Sequence, residues 1–458
     1  MKKEVLDMTD TIVAISTAVG VGAISIIRLS GPDAIKIVNQ IFKGKNLEKV
    51  PTHTIHYGNI IDGEEIIDEV LVSVMLSPKT FTTENVVEIN CHGGIATTNK
   101  VLELVLRKGA RLAEPGEFTK RAFLNGRIDL IKAESVMDLI ESKTDKARKV
   151  AIAGISGKIS DKIRTLRQNL VDLIANIEVN IDYPEYEDIE VVTKEKIASQ
   201  VFQMKEFLKK IIRESETGRL LTEGIKTVIV GRPNVGKSSL LNRLLEEDKA
   251  IVTDIAGTTR DIVEGNLNFD GVLLHIIDTA GIRTTTDKVE QIGVEKSLNL
   301  MQDADLILVV LNAAEPLTVE DENILKKTNP QNTIVLLNKN DLESKIKTSD
   351  LSQYRVITTN TLSDEGIEPL KKEIKKLFQL DLLEQSDYTY LNNIRQISLA
   401  KDAYQSLLEV ENNLSKEVPI DLLEIDLKNC WIALGDIIGE NYSEELLDQL
   451  FSQFCVGK

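Results

Sequence analysis

Short apolar runs broken by glycine fill roughly the first quarter of the chain. They predict strands at Thr11–Ser16, Ala23–Leu29, Glu69–Met75 and Asn85–Asn90, set apart by Gly20, Gly22, Gly31-Pro32 and Gly93-Gly94. One helix, Thr97–Arg107, follows the last strand, and the mixture predicts an α+β domain. From about Ala122 the apolar spacing lengthens. Ile163, Leu166, Leu170, Leu173 and Ile177 recur at steps of three and four, the seam of a packed helix. Pro184 interrupts it among Asp182, Glu185, Glu187, Asp188 and Glu190, which read as a solvated turn. A second helix then runs through Phe202, Met204, Phe207, Leu208 and Ile211.

From Ile225 to about Leu380 the pattern changes to continuous apolar strands alternating with helices. The strands are Thr227–Val230, Leu273–Ile277, Leu306–Leu311, Thr333–Leu337 and Arg355–Thr358, with Asp270-Gly271 as a hairpin signal. Such alternation predicts an α/β, mostly parallel, doubly wound sheet. Helical periodicity returns through Ile394, Ile397, Tyr404, Leu407, Leu427, Trp431, Leu434 and Ile438. The expected fold class is therefore multidomain. An N-terminal α+β domain (1–121) precedes an all-α helical domain in two parts (122–218 and 381–458), and an α/β domain (219–380) is inserted between those parts.

Composition narrows the partners. A net charge of −17 disfavours unspecific nucleic-acid binding, leaving room for a local basic patch. The three cysteines, Cys91, Cys430 and Cys455, form no CxxC pair and fit a reduced compartment. The charged opening Met1–Asp10 does not read as a signal peptide, and no apolar run has the length of a membrane span. A soluble, cytoplasmic protein that does not enter the membrane is expected.

Gly231-Arg232-Pro233-Asn234-Val235-Gly236-Lys237-Ser238 matches GxxxxGK[ST] between a predicted strand and a helix opening at Ser239. Its glycines let successive N–H groups face phosphate oxygens at a helix N-terminus. Lys237 adds a charge at the β and γ phosphates, and the Ser238 hydroxyl ligates Mg2+. Asp278-Thr279-Ala280-Gly281 ends a later strand, where a magnesium-side Asp and a γ-phosphate-sensing Gly belong. Asn338-Lys339-Asn340-Asp341 ends another. The carboxylate of Asp341 accepts from the guanine ring N–H and amino group, a donor pair that adenine lacks. GTP is the substrate these three motifs select. Between the first two lies Val252-Thr253-Asp254-Ile255-Ala256-Gly257-Thr258-Thr259-Arg260-Asp261, the expected first switch, with Thr259 placed to cap Mg2+. The place of a water-aligning Gln holds Arg283 after Ile282, so another acid must act. Asp287, Glu290 and Glu295 are all near enough in sequence.

The switch and Asp278-Thr279-Ala280-Gly281-Ile282-Arg283 resemble GTPases related to Era, Der and MnmE. Further stretches narrow this to the MnmE family of bacterial tRNA-modifying GTPases. They are Asp10–Ala14, Ile27–Gly31, Val87–Gly94, Glu114–Phe118, Arg121–Asn125 and the terminal Cys455-Val456-Gly457-Lys458, and the likeness runs the whole length of the chain. The resemblance implies a potassium ion in the G domain, held by Asn234, Thr253, Ile255 (through its carbonyl) and Thr258. It singles out Glu290 as general acid/base, and Thr358-Thr359-Asn360 as the loop beside the guanine, a departure from the family's Ser-Ala-Lys. It implies a tetrahydrofolate derivative (5,10-methylene or 5-formyl) on the N-terminal domain, contacted by Arg28, Glu88, Arg127 and Lys458. At Arg127 the family often has Lys, which is not equivalent. Val456 replaces the usual Ile, and Cys455 becomes a residue of possible modification chemistry. A homodimer is implied, joined by the FAD-dependent partner MnmG (GidA) in a heterotetramer acting on the wobble uridine of tRNA. The alternatives are an Era/Der-like ribosome-assembly GTPase, which needs a basic RNA-binding module, and a membrane-remodelling GTPase, which needs a membrane-binding stretch. Neither feature is evident in the sequence.

Overall fold

The computed structural model describes residues 10–182, 193–247, 265–269, 271–278, 300–360, 367–378, 380, 387–416 and 418–458. The turn expected around Pro184 falls outside them. The chain folds as two compact units, Met1–Met137 with Gly435–Lys458, and Asp138–Leu434.

In the first unit, β1 (Ile12–Ile15), β2 (Ile24–Ser30), β3 (Phe42–Lys43), β4 (Thr54–Asp62), β5 (Glu65–Met75), β6 (Val86–His92) and β7 (Arg111–Leu112) form one sheet in the order β3-β4-β5-β6-β2-β1-β7. All pairings are antiparallel except β1 with β7. One face buries Val13, Ile27, Leu29, Val72, Val87 and Ile89 in a core completed by Val38, Val101 and Leu104 from helices Ala34–Asn39 and Ile95–Arg107. The opposite face carries Arg28 and Glu88, directly paired across β2 and β6. Strand β4 was not expected from the sequence, and β5 begins earlier than the predicted Glu69. Ile55 and Tyr57 are exposed on β4 and Gly58 follows, so no apolar run marks the strand. Its pairing with β5 holds it in place. A Cβ at Gly58 would lie 2.5 Å from the Phe42 ring, which explains the glycine.

Helix Glu117–Leu124 belongs to the same unit and begins before the expected change at Ala122. Phe123 and Leu130 share a core with Leu447, Phe451 and Phe454 from the end of the chain. Gly116, at φ 67, lets the two segments touch, since a Cβ there would be 2.6 Å from the Phe451 oxygen. Arg121, 1% exposed, is neutralised by Asp10, Glu84 and Glu117, as a buried cation requires.

In the second unit, β8 (Ile225–Val230), β9 (Gly265–Phe269), β10 (Val272–Asp278), β11 (Leu306–Asn312), β12 (Thr333–Asn338) and β13 (Arg355–Thr358) form a sheet ordered β13-β12-β11-β8-β10-β9. Only β9 runs antiparallel among the described pairings. Strands β11 and β12 are buried at every position, which is why they read as unbroken apolar runs. Helices Lys158–Asp182, Lys194–Thr222, Ile394–Ser415 and Ile420–Ile438 supply the all-α part. Where the chain enters and leaves the α/β part, the two segments are fastened together. Ser215 Oγ accepts from Leu391 N at 2.9 Å, and Thr222 Oγ1 donates to Asn392 O at 3.3 Å. The architecture is multidomain: α+β, all-α, and an α/β P-loop domain. No helix among the described residues is long and apolar enough to cross a membrane.

Candidate functional site

Strand β8 delivers the chain to Gly231, where φ is 154 and a Cβ would meet Val310 O at 2.4 Å; only glycine fits there. Asn234 (φ 62) and Gly236 (φ 105) are left-handed, a conformation that Asn tolerates better than most residues. The loop therefore curls into the N-terminus of helix Lys237–Glu247. Lys237 Nζ arches over the loop and donates to Gly231 O (2.7 Å) and Arg232 O (2.8 Å). Asn234, Ser238 and Ser239 keep contact with solvent, while Val235 is buried beneath them. This is an anion cradle with a lysine already bent across it.

The base-side motif leaves β12 at Asn338, which is buried and donates through Nδ2 to Val235 O at 2.8 Å. Lys339 turns the chain with φ 64. Asn340 N donates to Thr359 O (3.3 Å), and Thr359 N to Leu337 O (2.9 Å), which brings Thr358, Thr359 and Asn360 beside the motif. Asp341 is exposed.

Sequence reasoning missed a support for the loop. Arg232 donates from Nε to Asp321 Oδ1 (2.9 Å) and from Nη2 to Glu315 Oε2 (3.0 Å). Glu315 in turn accepts from Asn312 Nδ2 at 2.7 Å, and Asn312 stands in register with Asn338. Burial works to lower the Arg232 pKa, yet the two carboxylates raise it overall. The available signal was Thr318 with Asp321, a capping box whose acid is almost fully buried.

Asp278 closes β10 in register with Ile229 of β8, so the strand end lies beside the one that feeds the loop. The expectations at Thr253, Asp254, Ile255, Ala256, Gly257, Thr258, Thr259, Thr279, Ala280, Gly281 and Glu290 lie outside the described residues, as do Asp287 and Glu295.

A second group forms on the open face of the first sheet. Arg28 Nε meets Glu88 Oε1 at 2.8 Å, each side chain 22% exposed. Arg28 Nη1 also donates to Gly457 O at 3.1 Å, joined there by Ser16 Oγ at 3.2 Å. The terminal segment is thereby laid along β1 and β2. Gly457 has φ 91, and a Cβ on it would crowd Ile15 O at 2.7 Å. Lys458 is the next residue, and Cys455 is exposed, its carbonyl accepting from Gly116 N at 3.3 Å. Arg127 has other contacts. It donates to Phe81 O at 2.9 Å and stacks 5.0 Å from that ring, on the wall of a cavity of about 590 Å3 shared with Met75, Pro78 and Asn125.

Residues 11–127 match the family described as GTP-binding protein TrmE N-terminus, and residues 130–455 match MnmE helical domain. The protein named tRNA modification GTPase MnmE from Ligilactobacillus salivarius (strain UCC118) is 54% identical over 455 residues, 98% of each chain. The chain belongs to the MnmE family. The namesake from Bacillus subtilis (strain 168) is 52% identical over 458 residues, covering 98% of this chain and all of its own. Among solved structures, a single-residue variant of Era from Aquifex aeolicus bound to GDP.AlF4- is 26% identical over 40% of this chain and 67% of that one, with a TM-score of 0.26. This MnmE family member is an enzyme, a GTPase.

Proposed function

We propose that GTP hydrolysis by this chain drives modification of carbon 5 of the wobble uridine in certain tRNAs, adding an aminomethyl or carboxymethylaminomethyl group. The reading takes its substrate from full-length relatives named tRNA modification GTPases. The observation that carries it within this chain is the meeting of Arg28, Glu88 and Gly457 on one sheet face. A guanidinium and a carboxylate side by side offer donors and an acceptor to a planar heterocycle. The buried Phe118 ring, 5.9 Å from the Arg28 guanidinium, backs that side chain. That donor set fits a tetrahydrofolate derivative. Arg28, Glu88 and Lys458 would hold it, with Arg127 as a fourth contact. When bound, the folate supplies a one-carbon unit. FAD belongs to the partner MnmG, with which the chain forms a heterotetramer.

Register puts Ile24, Ile55, Tyr57 and Leu71 on the same face as Arg28 and Glu88, and all four are exposed. An apolar face of this kind suits a homodimer. In the G domain, hydroxyl and carbonyl oxygens suit hard cations. Ser238 and Thr259 would hold Mg2+; Asn234, Thr253, Ile255 and Thr258 would hold K+; and Glu290 would act as the general acid/base. The protein works in the cytoplasm.

Mass spectrometry of tRNA nucleosides from cells lacking this chain, and from the same cells with it restored, tests the reading. The carbon-5 substituent should vanish from wobble uridine and return on restoration. Wobble uridines that stay modified without the chain would overturn it.

A further inference from the structure

Residues 143–167 carry eight Lys and Arg against two Asp, in a chain whose net charge is −17. All but Lys143 lie on helices Asp145–Ser156 and Lys158–Asp182, joined at Gly157 with φ 82, and all but Arg167, which is buried against Trp431, keep some exposure. Lys158 and Lys162 stand one turn apart on their helix. Lys149 is paired first with Asp145 and also feels Tyr388. Lys162 and Lys158 act on the neighbouring Asp387, whose carboxyl is held low chiefly by the Thr389 hydroxyl. The Lys146 stem passes within 3.0 Å of where a Cβ of Gly271 would stand. Lys143 reinforces the burial that depresses the His275 pKa.

Local acids neutralise only part of this face. Asp145 holds Arg148 (2.8 Å) and Lys149 (3.0 Å), and Asp161 holds Arg164 (3.3 Å). Lys143, Lys158 and Lys162 are exposed and form no ion pair among the described residues. Clustered like charges repel one another, a cost that solubility does not require of so acidic a chain. Ile152 is the one large apolar side chain exposed along 143–167, too little for the core of a protein interface. Phosphate recognition needs only the cations.

We infer that the face built from Lys143, Lys149, Lys158 and Lys162 binds the phosphate backbone of tRNA. This rests on the tRNA-modification reading and adds where, on this chain, the nucleic acid lies. The 12-residue helix Asp145–Ser156 spans about 18 Å, enough to follow several phosphates.

The test is fluorescence anisotropy of a labelled tRNA transcript with the full chain across a salt series. The comparison is a variant carrying Lys143→Gln, Lys158→Gln and Lys162→Gln. All three residues are exposed and none belongs to the nucleotide-binding motifs, so GTP turnover without tRNA should be unchanged. Affinity should fall at least about tenfold, and the slope of log affinity against log salt should shrink by about two. Equal affinity and equal slope would overturn the inference. So would retained tRNA affinity with lost binding of the partner protein, which would give this face to an acidic protein. No tRNA affinity in the unaltered chain would overturn it as well, while the nucleoside assay separately judges the modification reading.

Discussion

Asn338 Nδ2 donates to the Val235 main-chain oxygen at 2.8 Å, so the strand end carrying the Asn338–Asp341 motif is bonded to the glycine-rich loop of Gly231–Ser238. Occupancy at one is thereby tied to the geometry of the other. The bond is buried, where an orphaned partner costs about 1–3 kcal/mol. Asn338→Ala should weaken GTP binding about tenfold or more while leaving the fold intact, as read by titration calorimetry.

The sequence motif assigns base choice to Asp341. Replacing its carboxylate by an amide leaves the guanine amino group facing a donor. Asp341→Asn should lose GTP affinity by about a hundredfold or more, because an unpaired polar group is worth several kcal/mol at such a site. Affinity for xanthosine triphosphate, whose carbonyl replaces that amino group, should rise. Unchanged GTP affinity would contradict the assignment.

Gly218 sits against the buried Tyr390, where a Cβ would lie 2.0 Å from the ring. Tyr390 cannot give way easily, since it belongs to the core beneath the α/β sheet. Gly218→Ala should therefore destabilise the protein by about 1–3 kcal/mol through overpacking, seen as a lower Tm. A second change, Tyr390→Leu, should recover part of the loss.

Arg232 carries the phosphate loop on two carboxylates, one of them the nearly inaccessible Asp321. Arg232→Ala removes the cation from that buried acid, a loss of about 1–3 kcal/mol. KM for GTP should rise more than kcat falls. Arg232→Lys should rescue only part, because an ammonium cannot serve both acids with a planar fork.

His275 donates from Nε2 to Glu223 O at 2.9 Å, and its Nδ1 faces the side-chain amide of Asn266 at 2.7 Å. Burial is the largest cause holding its pKa below the ordinary 6.5, and Lys143 and Lys226 add to it. As pH falls, the unfolded chain takes up this proton before the folded one does. The stability it contributes is present in full above the unfolded value and drains away as pH drops toward the folded one. Between about pH 7.5 and about pH 5, the parent should lose more Tm than His275→Gln. Parallel curves would contradict the linkage.

Local rules made much of the second unit legible. Parallel strands buried on both faces produce unbroken apolar runs, so β11 and β12 fall where the sequence puts them. The phosphate loop follows from Gly231 and Gly236, whose backbones need conformations that side chains forbid. Strand β4 was illegible because His56 and Gly58 hold inward positions while Ile55 and Tyr57 face outward, which inverts the expected alternation.

The sequence by itself determined the class of nucleotide, the helical and strand periods, and the order of the site motifs, because each depends on neighbours a few residues apart. Only the tertiary structure decided which distant groups meet. Arg28 and Gly457 are 429 positions apart, and Lys205 and Glu411 are 206 apart. No periodicity links such pairs. Their contact follows from how sheets and helices pack, and from the need to give every buried or half-buried charge a partner.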